Sequence, residues 1–116
     1  MNKFLLAIVL LPLIDAPWLY LTSPYVIPIY EKIQGGPLKV TPLAAIVVYV
    51  ALAWLLIQQT SVTGAFLNGA AIYAVYDFTN LTIFKNYSLT MAVADTVWGG
   101  SLFAICHYLL SRFYKT

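Results

Sequence analysis

The chain has 116 residues, of which 62% are hydrophobic and only 9% are charged, whereas roughly 25% of the residues of an ordinary soluble domain carry a charge. This composition excludes a soluble monomer of the same length. The net charge of +2 is small and no three basic residues follow one another, which excludes a nucleic-acid-binding protein as well. The composition is typical of an integral membrane protein with a single domain over residues 1–116.

Four apolar blocks follow one another along the chain, each near the roughly 20 residues that a membrane-crossing helix needs. The first follows Lys3, as the core of a signal peptide would, but Trp18 and Leu19 prolong it, so we interpret it as a crossing. The sequence therefore predicts an all-α bundle of four transmembrane helices. The crossings are expected at about residues 4–21, 42–60, 63–84 and 89–111.

The segment of residues 24–34, between the first two crossings, has a different pattern. Ser23 and Pro24 are typical of a helix N-cap followed by proline at the first helical position. Large apolar side chains then recur at three- and four-residue spacing from Tyr25 to Ile33. This pattern predicts a short amphipathic helix at the membrane surface, separate from the first crossing. Pro28 leaves open an alternative, an irregular loop anchored by aromatic side chains.

An even number of crossings places both termini on one side of the membrane. Basic residues mark the cytoplasmic side of many membrane proteins, but here the two faces carry equal numbers. Because the terminal residues are better placed to set the orientation than Lys32 in the middle of a loop, we predict cytoplasmic termini. The terminal face carries Lys3, Arg112 and Lys115, and the opposite face carries Lys32, Lys39 and Lys85.

Three of the four acidic residues fall inside the predicted crossings, where a charge costs roughly 2.5–3.5 kcal/mol on insertion scales. Asp15 and Asp77 each precede the end of their crossing by about two helical turns, and Asp95 follows the start of its crossing by about two turns. All three acids therefore lie roughly 10 Å below the same surface. Three helices that deliver a carboxyl group to one depth predict a shared polar site.

Helical spacing extends this site along the third crossing. Asn80 lies one turn after Asp77 and shares its face, and Tyr73, Tyr76 and Thr79 are expected to support the two polar residues. Small residues on the same stripe would let another helix approach closely. The residues predicted to serve this helix packing are Ser61, Ala65, Gly69 and Gly99.

The sequence Asp-x-x-Trp occurs in both the first and the fourth crossing. We interpret the repetition as chance, but it predicts an indole donor beside each acid. Trp18 is expected beside Asp15, and Trp98 beside Asp95.

Three short motifs carry a resemblance to a known family. They are Asp-Ala-Pro-Trp-Leu at residues 15–19, Tyr-Asp-Phe-Thr-Asn at residues 76–80 and Asp-Thr-Val-Trp-Gly at residues 95–99, with Lys85 between the last two. In this order, over nearly the whole chain, they resemble the DUF2177 family of short predicted membrane proteins, which occurs in bacteria and in some large algal viruses. The chain departs from the family pattern at residues 86–88, where Trp-Pro is expected. The resemblance implies a four-helix membrane fold and supports the site residues, but it implies no activity.

The acids and the Asn80 carbonyl offer hard oxygen ligands, which suit sodium, calcium, magnesium or manganese better than zinc. Without a cation, at least one acid is expected to hold a proton, because like charges in a low dielectric cannot all ionise. The sequence therefore predicts a bound cation or proton and no other cofactor. The predicted function is transport of an ion, a proton or a small solute by a carrier or a conducting oligomer.

Two alternatives to transport remain open. In the first, the acids only hold the helices together by hydrogen bonds, and the chain is a structural or assembly protein, or a subunit of a larger membrane complex or of a viral membrane. The second, an enzyme, is not expected, because the serines lack a nearby base and His107 lies roughly 18 Å along the fourth helix from Asp95. The expected partners are the lipid bilayer and either further copies of the chain or other membrane subunits.

Overall fold

The structure is a computed structural model that describes residues 2–114, so that Lys115 of the predicted terminal face lies outside the described residues. The described chain is all-α and forms an elongated bundle with extents of 47 × 26 × 21 Å. α3 packs along α4, and α1 contacts both α2 and α4. The helices are α1 (Lys3–Gln34), α2 (Pro42–Leu56), α3 (Val62–Ile83) and α4 (Leu89–Phe113).

Helix α1 is longer than the sequence predicts. Residues 24–34 are helical, but they continue the first helix to a length of 32 residues instead of forming a separate surface helix. The prolines within α1 each remove a backbone hydrogen bond, and a side chain compensates at one of them. The Ser23 hydroxyl donates to the Tyr20 carbonyl at 2.9 Å, which is the carbonyl that Pro24, four residues later, has no N–H to reach. The helix ends only at Gly35, whose φ of 82° is in the left-handed region.

Helix α2 is shorter than the predicted crossing of residues 42–60, because it ends at Leu56 after 15 residues. The side chains of Gln58 and Gln59 donate hydrogen bonds at 3.2 and 3.0 Å to backbone carbonyls of the last turn. These bonds satisfy carbonyls that a longer helix would have used, so the chain turns at this point.

Ser61 lies at the start of α3 and takes no part in helix packing, in contrast to the prediction. Its hydroxyl oxygen accepts a hydrogen bond from the Gly64 N–H at 2.9 Å, and the residue is exposed. Ser88 caps α4 in the same way, with the Met91 N–H as donor at 3.1 Å. Both serines are therefore N-caps, which fix where α3 and α4 begin.

Glycines bring α3 and α4 into close contact. A Cβ atom added to Gly69 would lie 2.3 Å from the carbonyl oxygen of Gly99 and 2.6 Å from the Cβ of Phe103. One added to Gly99 would lie 2.3 Å from the ring of Tyr73. Ala65, one turn before Gly69, is completely buried. The two helices therefore approach more closely than any larger side chain would permit.

The apolar core fills the half of the bundle that holds the start of α1 and the end of α4. All four helices contribute to it, and its largest fully buried apolar side chains belong to Leu11, Leu56, Leu102, Phe103 and Leu110. The acids follow directly beyond this core, since Asp15 is one turn after Leu11. One half of the bundle is thus closed by apolar packing, and the other half contains the polar side chains.

The outer surface of the bundle is apolar along all four helices. Leu13 of α1, Leu43 of α2, Val75 of α3 and Val97 of α4 are each more than half exposed. Within the described residues, α1 and α4 are long and apolar enough to cross a membrane, and α2 is a shorter apolar helix. An outer surface of this kind is stable in lipid and costly in water.

Candidate functional site

The three acids lie in the same half of the bundle, and Asp95 is the link between the other two. Asp15 is 4% exposed and Asp77 is 1% exposed, whereas Asp95 is half-buried. Asp95 lines one cavity together with Asp15 and a second cavity together with Asp77. The acids therefore lie in the order Asp15 on α1, Asp95 on α4 and Asp77 on α3, with Asp95 between the other two.

Both carboxylate oxygens of Asp15 accept hydrogen bonds from other helices. The indole N–H of Trp98, on α4, donates to Oδ1 at 2.7 Å, and the hydroxyl of Tyr49, on α2, donates to Oδ2 at 2.7 Å. Asp15 thereby joins three helices at one point. Such bonds stabilise helix association in lipid, where the hydrophobic effect does not drive helices together.

The two Asp-x-x-Trp motifs form a reciprocal pair. While Trp98 of α4 binds Asp15 of α1, Trp18 of α1 donates its indole N–H to Oδ1 of Asp95 on α4 at 3.0 Å. The two indole rings stack between these bonds, with centroids 5.4 Å apart and an interplanar angle of 11°.

This arrangement corrects the prediction that each indole serves the acid of its own helix. Residues three apart on a helix lie side by side, so both members of each motif face the neighbouring helix together. On antiparallel helices, Asp15 then faces Trp98, and Trp18 faces Asp95. Both copies of the motif therefore take part in one contact between α1 and α4.

Asp77 has an incomplete set of hydrogen bonds. The hydroxyl of Tyr87, in the loop between α3 and α4, donates to Oδ1 at 2.5 Å. Oδ2 is buried and has no hydrogen-bond partner among the described residues. Asp95 lines the same small cavity as Asp77, and two carboxyl groups can form a hydrogen bond only when one of them holds a proton.

A series of tyrosine hydroxyls leads from Asp77 to the surface. The Tyr30 hydroxyl lies 3.0 Å from that of Tyr87 and 2.8 Å from that of Tyr76, which is 54% exposed. Burial, with the hydrogen bond to Asp77 as a further cause, raises the pKa of Tyr87 to about 12. Tyr87 is therefore neutral near pH 7 and can donate a hydrogen bond to the Asp77 carboxyl group. Asn80 is half-buried one turn after Asp77, and its side chain opposes the rise in the pKa of Tyr87.

The remaining predicted residues have different roles. Tyr73 is half-buried beside Gly99 and lines the cavity that contains Asp15 and Asp95. Thr79 is exposed, with no part in the site. The two tyrosines that donate to acids, Tyr49 and Tyr87, carry no signal in the sequence, because they lie outside the helices that carry those acids. Tyr30, which lies beside the hydroxyls of Tyr76 and Tyr87, was not predicted either.

No group of three or more His, Cys, Asp or Glu side chains within residues 2–114 is arranged to hold a metal ion. The hydrogen bonds explain why Asp15, Asp77 and Asp95 are not ligands around one centre. Both oxygens of Asp15 are occupied by the donors Trp98 and Tyr49. The site is therefore a network of acids and aromatic donors.

Two cavities meet at Asp95. The larger one, of about 420 Å³, lies between α1, α2 and α3 and is mostly apolar. The smaller one, of about 180 Å³, lies beside Asp77 and the tyrosine series. Trp18, Leu19 and Tyr76 line both cavities with Asp95, so the two spaces adjoin along one face of α1.

Tyr87→Phe is expected to lower the free energy of unfolding by about 2 kcal/mol, because it removes the only hydroxyl that donates to the buried carboxyl group of Asp77 among the described residues. Denaturation in detergent, followed by circular dichroism, measures the change. Tyr108→Phe is the control, since Tyr108 is 52% exposed and should tolerate the change. Equal stability of the two variants would contradict the expectation.

The comparisons with known proteins agree with the membrane character of the bundle. The model of one family, described as predicted membrane protein (DUF2177), matches residues 1–110. No curated protein and no solved structure matches the chain.

Proposed function

The chain belongs to the DUF2177 family of predicted membrane proteins, and from this premise we propose that it crosses the bilayer with all four helices and carries protons at the paired carboxyl groups of Asp77 and Asp95. The apolar outer surface supports four crossings. At 15 residues, or roughly 22 Å, α2 is shorter than the roughly 30 Å hydrocarbon core. Local thinning of the bilayer accommodates such a helix at modest cost. The termini are proposed to be cytoplasmic.

The observation that carries the proposal is the buried carboxyl group of Asp77, which shares a cavity with Asp95. Asp77 is almost completely buried, one of its oxygens has no donor, and Asp95 lines the same small cavity. Two carboxyl groups that face one small cavity in a low dielectric do not both ionise readily, so a proton shared between them is the arrangement that the proposal requires. A buried pair of this kind can gain or lose one proton as its surroundings change.

The tyrosine series supplies the route for that proton. Hydroxyl groups both donate and accept, so Tyr87, Tyr30 and Tyr76 can pass a proton between Asp77 and the exposed end of the series. The smaller cavity beside them, of about 180 Å³, is large enough for water, and its lining includes the polar groups of Asp77, Asp95 and Tyr87 that an internal water site requires.

The other half of the bundle supports a carrier in preference to an open channel. Beyond Asp15, the interior is filled by completely buried Leu11, Leu102 and Phe103, so no continuous water-filled path runs through the bundle formed by residues 2–114. A proton bound at Asp77 would therefore reach the other side only after the helices rearrange.

Proton flux into liposomes tests the proposal. Vesicles that contain the protein and a pH-sensitive dye should acidify faster than empty vesicles after an acid pulse. Asp77→Asn should reduce the rate to that of empty vesicles, because an amide cannot exchange the proton. Glu31→Gln, which removes the acid that lies near the end of α1, is the control and should leave the rate unchanged. Equal rates for wild-type protein and Asp77→Asn would reject the proposal.

The reciprocal Asp–Trp pair favours a second candidate, a structural or assembly protein. Two hydrogen bonds and a stacked ring pair between α1 and α4 are a device for holding helices together. Wild-type protein that folds stably in liposomes but carries no protons would support this candidate.

A further inference from the structure

We propose that the larger cavity binds a small amphipathic organic cation, whose ammonium group lies at Asp95 and exchanges with the proton shared by Asp77 and Asp95. This inference rests on the proposed proton site and names the solute that the proton would be exchanged for.

The size and walls of the cavity fit such a molecule. Its volume of about 420 Å³ is in the range of small-molecule sites, which are mostly apolar with a few convergent polar groups. The apolar side chains of Leu19, Val48 and Ile72 line the cavity. Tyr73 also lines it, with a hydroxyl that has no hydrogen bond among residues 2–114. The hydrocarbon part of a ligand would lie against these side chains.

The polar groups of the cavity select a positive charge. Asp15 and Asp95 both line it, and their donors in the structure are uncharged indole and hydroxyl groups. A bound cation would supply the positive counter-charge that these uncharged donors do not provide to the two carboxylates. Trp18, whose ring is stacked on Trp98, also lines both cavities and adds an aromatic wall beside Asp95.

A second observation joins this cavity to the proton site. Asp77, 1% exposed, lines the adjoining smaller cavity, and its Oδ2 has no donor. Asp95 faces both spaces. An ammonium group at Asp95 would therefore neutralise the negative charge of the same pair of carboxyl groups as the shared proton does, so the two compete.

The competition predicts how binding depends on pH. The titratable groups around the pair are Asp15 and Tyr30 on α1, Tyr49 on α2, Tyr73 and Tyr76 on α3 and Tyr87 in the loop. Tyrosine ordinarily loses its proton only near pH 10, so acids alone titrate in the useful range. Cation binding should weaken as pH falls, by up to tenfold per pH unit once the pair is mostly protonated.

Calorimetric titration of the full chain in detergent with benzyltrimethylammonium tests the inference. We expect saturable binding that weakens as the pH is lowered, and at least tenfold weaker binding by Asp95→Asn. Neopentylbenzene, the uncharged molecule of the same shape, should bind much more weakly. Equal binding of the two molecules would overturn the inference and indicate a site for lipid chains, and absence of saturable binding would also overturn it.

A second pair of variants leaves the acids intact. Val48→Trp places a large ring in the wall of the cavity and should abolish binding, whereas Leu43→Trp, at a position 72% exposed on the same helix, should not. Unchanged binding by Val48→Trp would overturn the placement of the ligand. Proton flux measured on the same preparations separates the two proposals: flux without cation binding rejects only the inference, and pH-dependent binding without flux rejects only proton carriage.

Discussion

Gly69→Ala is expected to lower the free energy of unfolding by about 3 kcal/mol, which is near the upper end of the usual cost of overpacking. The added Cβ atom would lie 2.3 Å from the carbonyl oxygen of Gly99 and 2.6 Å from the Cβ of buried Phe103. A backbone oxygen cannot turn aside as a side chain can, so α3 must move away from α4. Alanine ordinarily stabilises a helix relative to glycine by about 1 kcal/mol, and the expected change is therefore opposite in sign to helix propensity.

Denaturation of the purified protein in detergent, followed by far-ultraviolet circular dichroism, measures this loss. Gly36→Ala is the matched control, because a Cβ atom there would meet nothing within 4 Å. Displacement of α3 would also separate Asp77 from Asp95, so Gly69→Ala should lose proton flux even where it remains folded. A Gly69→Ala variant as stable as Gly36→Ala would show that α3 and α4 do not pack as closely as described.

Asp15→Leu is expected to lower the free energy of unfolding by about 4 kcal/mol, because it leaves two donors without an acceptor at about 1–3 kcal/mol each. These donors are the indole N–H of Trp98 and the hydroxyl of Tyr49. Asp15→Asn retains one acceptor oxygen, so its loss should be about half as large. The graded series distinguishes lost hydrogen bonds from a general effect of removing a buried charge, for which the two variants would be equally stable.

Trp98→Phe provides the control for this series. In the Trp98→Phe background, Asp15→Leu should cost clearly less than in the wild-type protein, since the indole donor is already absent. Trp54→Phe is the matched variant, because Trp54 is 58% exposed and contacts Phe4, and it should leave the cost of Asp15→Leu unchanged. Additive effects of Asp15→Leu and Trp98→Phe would contradict the hydrogen bond between the two residues.

Some of this site follows from the sequence because it depends on lengths alone. The distance of Asp15, Asp77 and Asp95 from the ends of their apolar blocks gives their depth, and the structure places the three acids in one half of the bundle. The partners of the acids could not be found in this way. Tyr49 and Tyr87 bind acids that are 34 and 10 residues away in sequence, and no local pattern indicates which tyrosine turns inward.

The sequence-based errors have local physical causes. Proline and the serine before it are typical of a helix start, but at Ser23 the same hydroxyl stabilises a continuing helix by binding the Tyr20 carbonyl. Ser61 has the spacing of a packing residue, yet its hydroxyl caps α3. In both cases serine is compatible with two local structures, and the conformation of the neighbouring residues decides which of them forms.

The crossed pairing of Asp15 with Trp98 and of Asp95 with Trp18 has a consequence for the divergence of this family. Each motif is contiguous in sequence, but its members depend on the other helix, so positions 15 and 98 should change together among relatives, as should positions 18 and 95. Covariation within a motif should be weaker, because Asp15 does not bind Trp18. A relative that has lost the indole at position 98 should therefore have replaced the acid at position 15 more often than a relative that keeps the indole, although the hydroxyl at position 49 can still bind that acid.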